Sequence, residues 1–221
     1  MSKAQDTLTI DVVSDVVCPW CYLGEKRLAL ALGEEAGPVE IRWRAYQLDP
    51  TIPDGGLDRT QYMEKKFGKG DRLKGAHDRL SALGAEVGLP FAFDRIERAP
   101  NTLDAHRLIR WAASSGKQAE VVDRLFRAYF VDGLDVGDPA VLVAIAGECG
   151  LDAEGIATLL EGDDDKDAVR REIEDAQALG VSGVPFFIFG GRLAVSGAQD
   201  VEVLRRAIAQ AREEMSKAPA A

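Results

Sequence analysis

Two cysteines separated by two residues are the strongest chemical signal in the sequence. They lie in the segment Cys18-Pro19-Trp20-Cys21, which closely follows an apolar, β-branched run at 8–13. Pro19 suits the first position of a helix, where its missing N–H costs nothing. The spacing therefore predicts two thiols at the start of a helix that follows a strand.

Thiols in this position favour redox chemistry. A thiol at a helix N-terminus faces unpaired backbone N–H groups and the positive end of the helix dipole, so its thiolate is stabilised. A thiolate attacks a substrate disulfide, and a second thiol then resolves the mixed disulfide. We expect Cys18 to attack and Cys21, which lies deeper along the helix, to resolve. The pair itself stores two electrons, so we predict no metal and no bound organic cofactor.

Zinc binding is the structural alternative for a Cys-x-x-Cys pair. A structural zinc ion needs four ligands, and the sequence otherwise offers only Cys149, His77 and His106, without a second paired spacing. We therefore favour redox chemistry over zinc. Cys149 lies in an apolar helical pattern and is predicted to be a small core residue, whereas His77 lies among charged residues and is predicted to be exposed.

The elements that position the cysteines follow from periodicity. Strands are predicted at 8–13 and 39–46 with the cysteine helix between them, and two short strands, FFIF and RLAV, are separated by Gly190-Gly191. The predicted helices after the second strand lie at 58–67, 70–87, 102–115, 118–131, 139–149, 153–161, 164–179 and 200–214.

The order of these elements predicts an insertion. The outer strands can form one mixed sheet only if the chain leaves after the second strand and returns after the helical block. We therefore predict an α/β fold with a large all-α insertion between the second and third strands. The predicted discontinuous outer domain covers 1–53 and 164–221, and the helical insertion domain covers 54–163.

Composition narrows the range of partners. The chain has 221 residues and a formal net charge of −10, without a dense Lys/Arg cluster, so nucleic acid and anionic membranes are not expected partners. The sequence has no run of 18 apolar residues and no secretory signal pattern. Three cysteines are too few for a disulfide framework. The predicted localisation is cytoplasmic.

Three parts of the sequence together resemble the DsbA-like thioredoxin family. These are SDVVCPWCYLGEKRL, the helical block, and GVSGVPFFIF with the following AVSGAQ. The resemblance is strongest to the FrnE-type branch, which is also similar to 2-hydroxychromene-2-carboxylate isomerases and kappa-class glutathione transferases. It implies a thioredoxin-like outer domain and a disulfide oxidoreductase or isomerase that acts on protein or small-molecule disulfides.

The resemblance also implies roles for individual residues. Pro185 is expected to be cis and to face the cysteine pair, and substrate backbone is expected to pair with Val184 as an added strand. Pro19 and Trp20, between the cysteines, are assigned to substrate binding. Glu25 is expected either to lie below the disulfide and assist proton movement or to be a solvated helix charge.

Three further positions bear on the chemistry. The periplasmic oxidants of the family have His where this chain has Trp20, so we expect a less oxidising pair here. Asp15 would oppose formation of the Cys18 thiolate if it points inward. Asn101 and His106, in NTLDAHR, resemble a motif of the isomerase branch; they either line the cleft and bind substrate or are a helix cap and an ordinary helical residue.

Two other functions stay open. The first is a glutathione-dependent isomerase or transferase, with glutathione as co-substrate. Its relatives have serine at the position of Cys18 and a Ser-Asp pair where this chain has the segment 197–200, GAQD, so the serine is missing. The second is a binding or chaperone module that has lost turnover. Phe91 and Phe93 are predicted to be core residues or the wall of an apolar groove. The sequence makes no prediction of the oligomeric state.

Overall fold

The computed structural model describes residues 7–33, 37–68 and 71–217. In chain order its elements are β1 (Leu8–Ser14), α1 (Pro19–Leu32), β2 (Val39–Ala45), β3 (Leu57–Asp58), α2 (Arg59–Phe67), α3 (Asp71–Glu86), β4 (Arg98–Ala99), α4 (Leu103–Ala113), α5 (Gln118–Arg127), α6 (Pro139–Glu148), α7 (Ala153–Glu161), α8 (Lys166–Ala178), β5 (Phe186–Phe189), β6 (Leu193–Ser196) and α9 (Val201–Lys217). A short 3-10 turn covers Phe93–Arg95, and a π-helical turn, Ala128–Asp132, continues α5.

The main sheet has the strand order β2-β1-β5-β6, with β1 in a central position. Strand β2 runs parallel to β1, whereas β5 is antiparallel to both β1 and β6. Ile10 is opposite Ile41 on one side and Phe189 on the other. Because β1 has neighbours on both sides, alternating apolar residues such as Ile10 and Val12 are fully buried.

Helix α1 connects the two parallel strands and packs against α9. Leu23 and Leu28 of α1 are buried, as are Leu204 and Ile208 of α9. These apolar residues anchor α1 in the core over most of its length. Its first turn is consequently held at a fixed place at the end of β1.

The predicted thioredoxin-like fold with a helical insertion between the second and third strands of the main sheet is confirmed. Helices α2 to α7 all lie between β2 and β5 in the chain. The insertion also contains a minimal antiparallel pair, in which Leu57 of β3 is opposite Ala99 of β4; sequence periodicity did not predict these two-residue strands.

The sheet and the insertion share one continuous apolar core. A single cluster of buried residues includes Leu8 and Phe187 from the sheet, Leu125 from α5 and Leu142 from α6. The division into an outer and an inserted domain at residues 54 and 163 stays a prediction. No helix in the part of the chain that the structure describes is long and apolar enough to cross a membrane.

Candidate active site

Cys18 is the N-cap residue of α1. Its backbone is extended, and Pro19 occupies the first helical turn, as the sequence predicted. The Cys18 N–H donates to the Asp15 carbonyl at 3.0 Å, and the Cys18 carbonyl accepts the N–H of Cys21 at 3.0 Å. This turn fixes the Cys18 sulfur at the mouth of the helix and places Cys21 one turn deeper.

The loop before β5 lies directly against this turn. The Val184–Pro185 peptide is cis, and the Cys18 thiol lies 3.7 Å from the Val184 carbonyl oxygen, to which it donates. A Cβ added at Gly24 would lie 2.9 Å from Pro185 Cγ and 3.1 Å from Phe187 Cζ. Gly24 therefore allows the proline loop to pack against α1, and the expected cis geometry of Pro185 is confirmed.

Cys18 opens into a cavity of about 420 Å³ between the outer domain and the insertion. Pro19, Trp20 and Val184 border it on the cysteine side. The wall contributed by the insertion and the loop before it is largely apolar and aromatic, and includes Leu48, Ile52, Tyr62, Met63, Tyr129 and Phe130. A cavity of this volume and lining is typical of a small-molecule pocket.

The polar groups around the cavity are mostly bonded to one another. Asp49 accepts hydrogen bonds from the Thr51 hydroxyl at 2.5 Å and the Tyr62 hydroxyl at 3.1 Å, and the Thr51 bond in particular holds the pKa of Asp49 below its usual value. Lys66 Nζ donates to the Tyr62 hydroxyl at 2.7 Å. Burial and the bond to Asp49 raise the pKa of Tyr62. The cavity therefore presents a largely apolar surface, with a few charged groups at its border, to a molecule that enters beside Cys18.

Cys21 has different surroundings. It is only 1% exposed and does not border the cavity. Burial, with a smaller contribution from the neighbouring Cys18 sulfur, raises the pKa of the Cys21 thiol well above its usual value. The Ser14 hydroxyl and the Asp15 backbone N–H favour its thiolate, but they do not offset the burial. Cys21 is thus sheltered and held as a thiol.

A buried carboxylate, that of Asp15, borders the cavity and meets a buried imidazole. Asp15 points inward: its Oδ2 accepts the Leu48 N–H at 2.8 Å, and its Oδ1 lies 3.5 Å from His106 Nε2. Both side chains are almost completely buried. His106 belongs to α4 of the insertion, so this pair links the loop before Cys18 to the inserted helices.

Comparison with known families agrees with this geometry. The model of the DSBA-like thioredoxin domain matches residues 9–209, which is nearly the whole chain. The chain belongs to the DsbA-like thioredoxin family.

Three solved structures are similar to this chain in fold. A probable DsbA oxidoreductase, SCO1869 from Streptomyces coelicolor, is 32% identical, with a TM-score of 0.87 over 97% of this chain and 93% of that one. A 2-hydroxychromene-2-carboxylate isomerase is 17% identical, with a TM-score of 0.70 over 96% and 100%. The cytosolic disulfide reductase DsbM from Pseudomonas aeruginosa, with glutathione, is 22% identical, with a TM-score of 0.64 over 94% and 97%.

Several predicted site residues of this DsbA-like chain come together. Cys18, Pro19, Trp20 and Val184 all border the cavity, and Trp20 also lies beneath the guanidinium of Arg79, 5.9 Å from the ring centre. Their roles in catalysis and substrate binding remain predictions. The sequence alone did not show that these residues come together, because Val184 lies 166 residues after Cys18 along the chain.

Glu25 matches neither of its two expected environments. Its side chain is only 16% exposed, so it is not a solvated charge, and it lies 3.3 Å from Lys26 Nζ. Burial raises its pKa, and the charges that act on it are those of Lys26 and Asp123 rather than the cysteines. The proton-relay role of Glu25 stays a prediction that this geometry does not favour.

Asn101 and His106 do not border the cavity. Asn101 connects two segments: its Oδ1 accepts the Leu103 N–H at 2.9 Å and the Gln47 side-chain amide at 3.0 Å, and its Nδ2 donates to the Ile52 carbonyl at 2.7 Å. It therefore acts as a cap at the start of α4. The substrate-binding roles of both residues stay predictions, and their positions favour the structural alternative for Asn101.

Other residues of the site were missed or misjudged in the sequence. The prediction that His77 is exposed is wrong: it is half-buried, borders the cavity and stacks on Phe93 with ring centres 4.1 Å apart. Tyr62 and Met63 border the cavity from α2, an otherwise charged helix. Tyr62 and Met63 are adjacent apolar positions in that helix, which was the available signal, but only the packing of the insertion shows what they face.

Proposed function

We propose that this protein is a thiol–disulfide oxidoreductase in which Cys18 attacks and Cys21 resolves. One observation carries the proposal. The Cys18 sulfur meets the helix N-terminus, the cis-proline loop and the apolar cavity at one point, whereas Cys21 lies behind it and away from the cavity. This arrangement supports an order of attack in which a substrate reaches only the first sulfur.

The proposed reaction has two steps. The Cys18 thiolate attacks one sulfur of the substrate disulfide, forming an S–S bond to it as the substrate S–S bond breaks and one substrate thiolate leaves. Cys21 then loses its proton and attacks the Cys18 sulfur, which forms the Cys18–Cys21 disulfide and releases the second substrate thiolate. The substrate gains two electrons, the cysteine pair loses two, and a thiol donor returns the pair to the reduced state.

The apolar lining of the cavity supports a substrate disulfide that carries an apolar group next to its sulfur, in either a protein or a small molecule. The Val184 carbonyl beside Cys18 is available to pair with an extended substrate backbone. We also propose the FrnE-type branch and a cytoplasmic location, supported by the CPWC motif and the low cysteine content. Nucleic acid and membrane surfaces are not proposed partners, because the net charge is −10.

Insulin reduction in the presence of a thiol donor, or reoxidation of a scrambled substrate, tests this function. The Cys18→Ser variant should be inactive in both assays. The Cys149→Ser variant is the matched control, because Cys149 lies at the end of α6, away from the pair, and it should retain full activity. Activity in Cys18→Ser would refute the role of Cys18, and holdase activity that survives loss of both cysteines would favour the chaperone alternative.

A glutathione-dependent isomerase or transferase is the second candidate. It is favoured by the enclosed apolar cavity, which suits a small aromatic substrate, and by the shared fold of an isomerase and of a reductase described with glutathione. It is weakened by Cys18 in place of serine and by Asp200, which is 80% exposed and lies 3.1 Å from Arg27. Calorimetry with millimolar glutathione and a turnover assay with an aromatic substrate test this candidate. Saturable binding together with turnover would support it, and absence of glutathione binding would reject it.

A further inference from the structure

An arginine without a carboxylate partner borders the cavity beside Cys18. Arg59 is the first residue of α2 and is half-buried in the wall that the insertion contributes. In the part of the chain that the structure describes, its guanidinium forms no ion pair with an Asp or Glu side chain. Because a charge that is partly removed from water and left unpaired is unfavourable, an anionic ligand would supply the missing partner.

The charge of Arg59 acts on two ring side chains of the same wall. Tyr129 and His77 both border the cavity. Burial lowers the pKa of His77 and the Arg59 charge lowers it further, whereas burial raises the pKa of Tyr129 and Arg59 opposes that rise. The Tyr129 hydroxyl donates to the Arg98 carbonyl at 3.1 Å, so it is neutral and gives Arg59 no counter-charge. The position on the border and these effects place the guanidinium on the cavity side of the wall.

The other charged groups on the cavity border already have partners. Asp15 accepts a backbone N–H at 2.8 Å and meets His106, and Asp49 accepts hydrogen bonds from two hydroxyl groups. Lys66, at the exposed end of α2, donates to a tyrosine hydroxyl at 2.7 Å. The charge that this border leaves for a ligand is therefore the positive charge of Arg59.

We propose that Arg59 binds a carboxylate of the substrate, and that the substrate class is the disulfide of an aromatic or similarly apolar thiol acid. The inference rests on the proposed function, whose two-step reaction it leaves unchanged. Apolar residues of the wall, among them Ile52 and Met63, would contact the ring. The planar guanidinium matches the two oxygens of a carboxylate. A cation in an apolar cavity would orient the acid and so present its disulfide to Cys18.

This class differs from glutathione disulfide. Each half of that molecule is a polar peptide, with an ammonium group and amides as well as carboxylates. These groups lose their hydrogen bonds to water when they enter an apolar cavity, and that loss is unfavourable unless new partners replace them. A ring that carries a single acid group suits a wall of apolar side chains beside Arg59 better.

Two matched disulfides separate the effect of charge from that of shape. Bis(para-carboxyphenyl) disulfide carries the acid, and bis(para-carbamoylphenyl) disulfide carries a neutral amide of nearly the same size at the same place. Reduced Cys149→Ser protein, the parent for this experiment, is mixed near neutral pH with an excess of either disulfide. Ultraviolet absorbance follows the released aromatic thiolate. The first phase reports attack by Cys18, and the second, the resolving phase, reports attack by Cys21.

The measured quantity is the ratio of the two attack rate constants, acid over amide. A change in this ratio between variants is independent of the intrinsic reactivity of the two disulfides. Arg59→Gln should lower the ratio at least about tenfold, equivalent to about 1.4 kcal/mol, by slowing attack on the acid alone. Arg59→Lys should lower it less, because lysine keeps the charge but not the fork of N–H donors.

Arg192→Gln is the matched control. Arg192 is exposed in the turn between β5 and β6 and does not border the cavity, so this substitution changes the net charge equally and leaves the wall intact. Its ratio should equal that of the parent. A further measurement needs no change at Arg59: added salt should lower the ratio in the parent, because salt screens charge–charge attraction. The test therefore stands even if the Arg59 variants fold poorly.

The outcomes distinguish this inference from the proposed function. Absence of the first phase with both disulfides would reject the proposed function itself. The same ratio in the parent and in Arg59→Gln, equal slowing of both disulfides in Arg59→Gln, or a ratio that salt leaves unchanged would overturn the carboxylate site alone. Glutathione disulfide is the remaining comparison. If the parent attacks it faster than the carboxyphenyl disulfide, with each rate divided by that of dithiothreitol, the apolar substrate class is wrong.

Discussion

The two cysteines of one helical turn are both buried, at 4% and 1% exposure for Cys18 and Cys21, but they differ in what they border. Cys18 borders an apolar cavity large enough for a substrate group and touches the cis-proline loop. Cys21 lies one turn deeper, does not border that cavity and is buried in the apolar core, with the Ser14 hydroxyl and the Asp15 backbone as its polar neighbours. The two positions differ although the residues are of the same type, and this difference is what supports the proposed order of attack and resolution.

The insertion contributes to the surroundings of this turn at two places. Tyr62 and Met63 of α2 form part of the cavity wall that Cys18 meets. His106 of α4 meets the carboxylate of Asp15, which borders the same cavity. The thioredoxin-like part therefore supplies the sulfurs and the proline, whereas the insertion supplies much of the cavity wall in front of Cys18.

The largest expected effect is loss of the resolving thiol. In Cys21→Ser the first substrate thiolate should be released normally, after which the protein stays as a stable mixed disulfide at Cys18. Multiple turnover is then lost, because no internal thiol can break that bond. Intact-mass spectrometry after incubation with an aromatic disulfide checks this. A variant that turns over without accumulating an adduct would break the contrast between the two sulfurs.

A smaller effect is expected where the proline loop meets α1. In Gly24→Ala the new Cβ would lie 2.9 Å from Pro185 Cγ, so the loop must shift. We expect a loss of about 1–3 kcal/mol in unfolding free energy from overpacking, with slower attack by Cys18. Urea denaturation and single-turnover kinetics measure both.

Gly75→Ala is the matched control for that change. Gly75 also lies inside a helix, α3, and no atom lies within 4 Å of a Cβ added there. This substitution should stabilise the protein by about 0.5–1 kcal/mol through helix propensity. Equal effects of the two substitutions would contradict a specific contact with Pro185.

The burial of Cys21 predicts a pH dependence of stability. Its raised pKa means that the unfolded thiol ionises first, at about pH 8.5, so the folded state binds more protons above that pH. The contribution of Cys21 is therefore complete below about pH 8.5 and is lost as pH rises toward the folded value, by at most about 1.4 kcal/mol per pH unit. Burial raises the pKa values of Tyr22 and Tyr129 to about 12. These two residues therefore change the pH dependence of stability only above about pH 10, where an unfolded tyrosine ionises.

Urea denaturation of the reduced protein between about pH 8.5 and 10 measures this slope. The Cys149→Ser background removes the other thiol whose pKa burial raises. In that background, Cys21→Ala should flatten the curve. The same slope with and without Cys21 would show that the second sulfur is not held as a thiol, and the contrast with Cys18 would fail.

The smallest expected effect lies on the cavity side. Met63→Ala shortens one wall of the cavity and should weaken binding of an aromatic disulfide by about 1 kcal/mol, or about fivefold in KM. The rate of the resolving phase should not change. Leu179→Ala is the control, because Leu179 is apolar but 77% exposed. An equal change in KM for Met63→Ala and Leu179→Ala would show that the cavity wall does not contribute to substrate binding.

The sequence predicted the features that depend on local patterns. The Cys-x-x-Cys spacing with Pro19 predicted the start of α1, and Gly190-Gly191 predicted the turn between β5 and β6. Both predictions succeed because proline and glycine restrict or permit backbone conformations locally, whatever the rest of the chain does. The cis geometry of Pro185 came from the family resemblance rather than from spacing. These elements define the fold and bring both sulfurs to one end of the sheet.

Features that depend on packing between distant segments were missed. The pairing of Asp15 with His106 joins the loop after β1 to α4, and the cavity joins the start of α1 to α2; neither contact follows from a periodic pattern in the sequence. The surroundings of Glu25 were not predicted for the same reason: it is largely buried and its charged neighbour is Lys26. Charge and spacing alone could not distinguish these arrangements.

Competitive alkylation of the reduced protein tests the central contrast most directly. Limiting iodoacetamide near pH 7, followed by peptide mass spectrometry, gives the relative reactivity of the two thiols. The account predicts modification of Cys18 at least about tenfold faster than that of Cys21, because only Cys18 borders the cavity and the raised pKa of Cys21 lowers its thiolate fraction. Equal labelling, or faster labelling of Cys21, would contradict it.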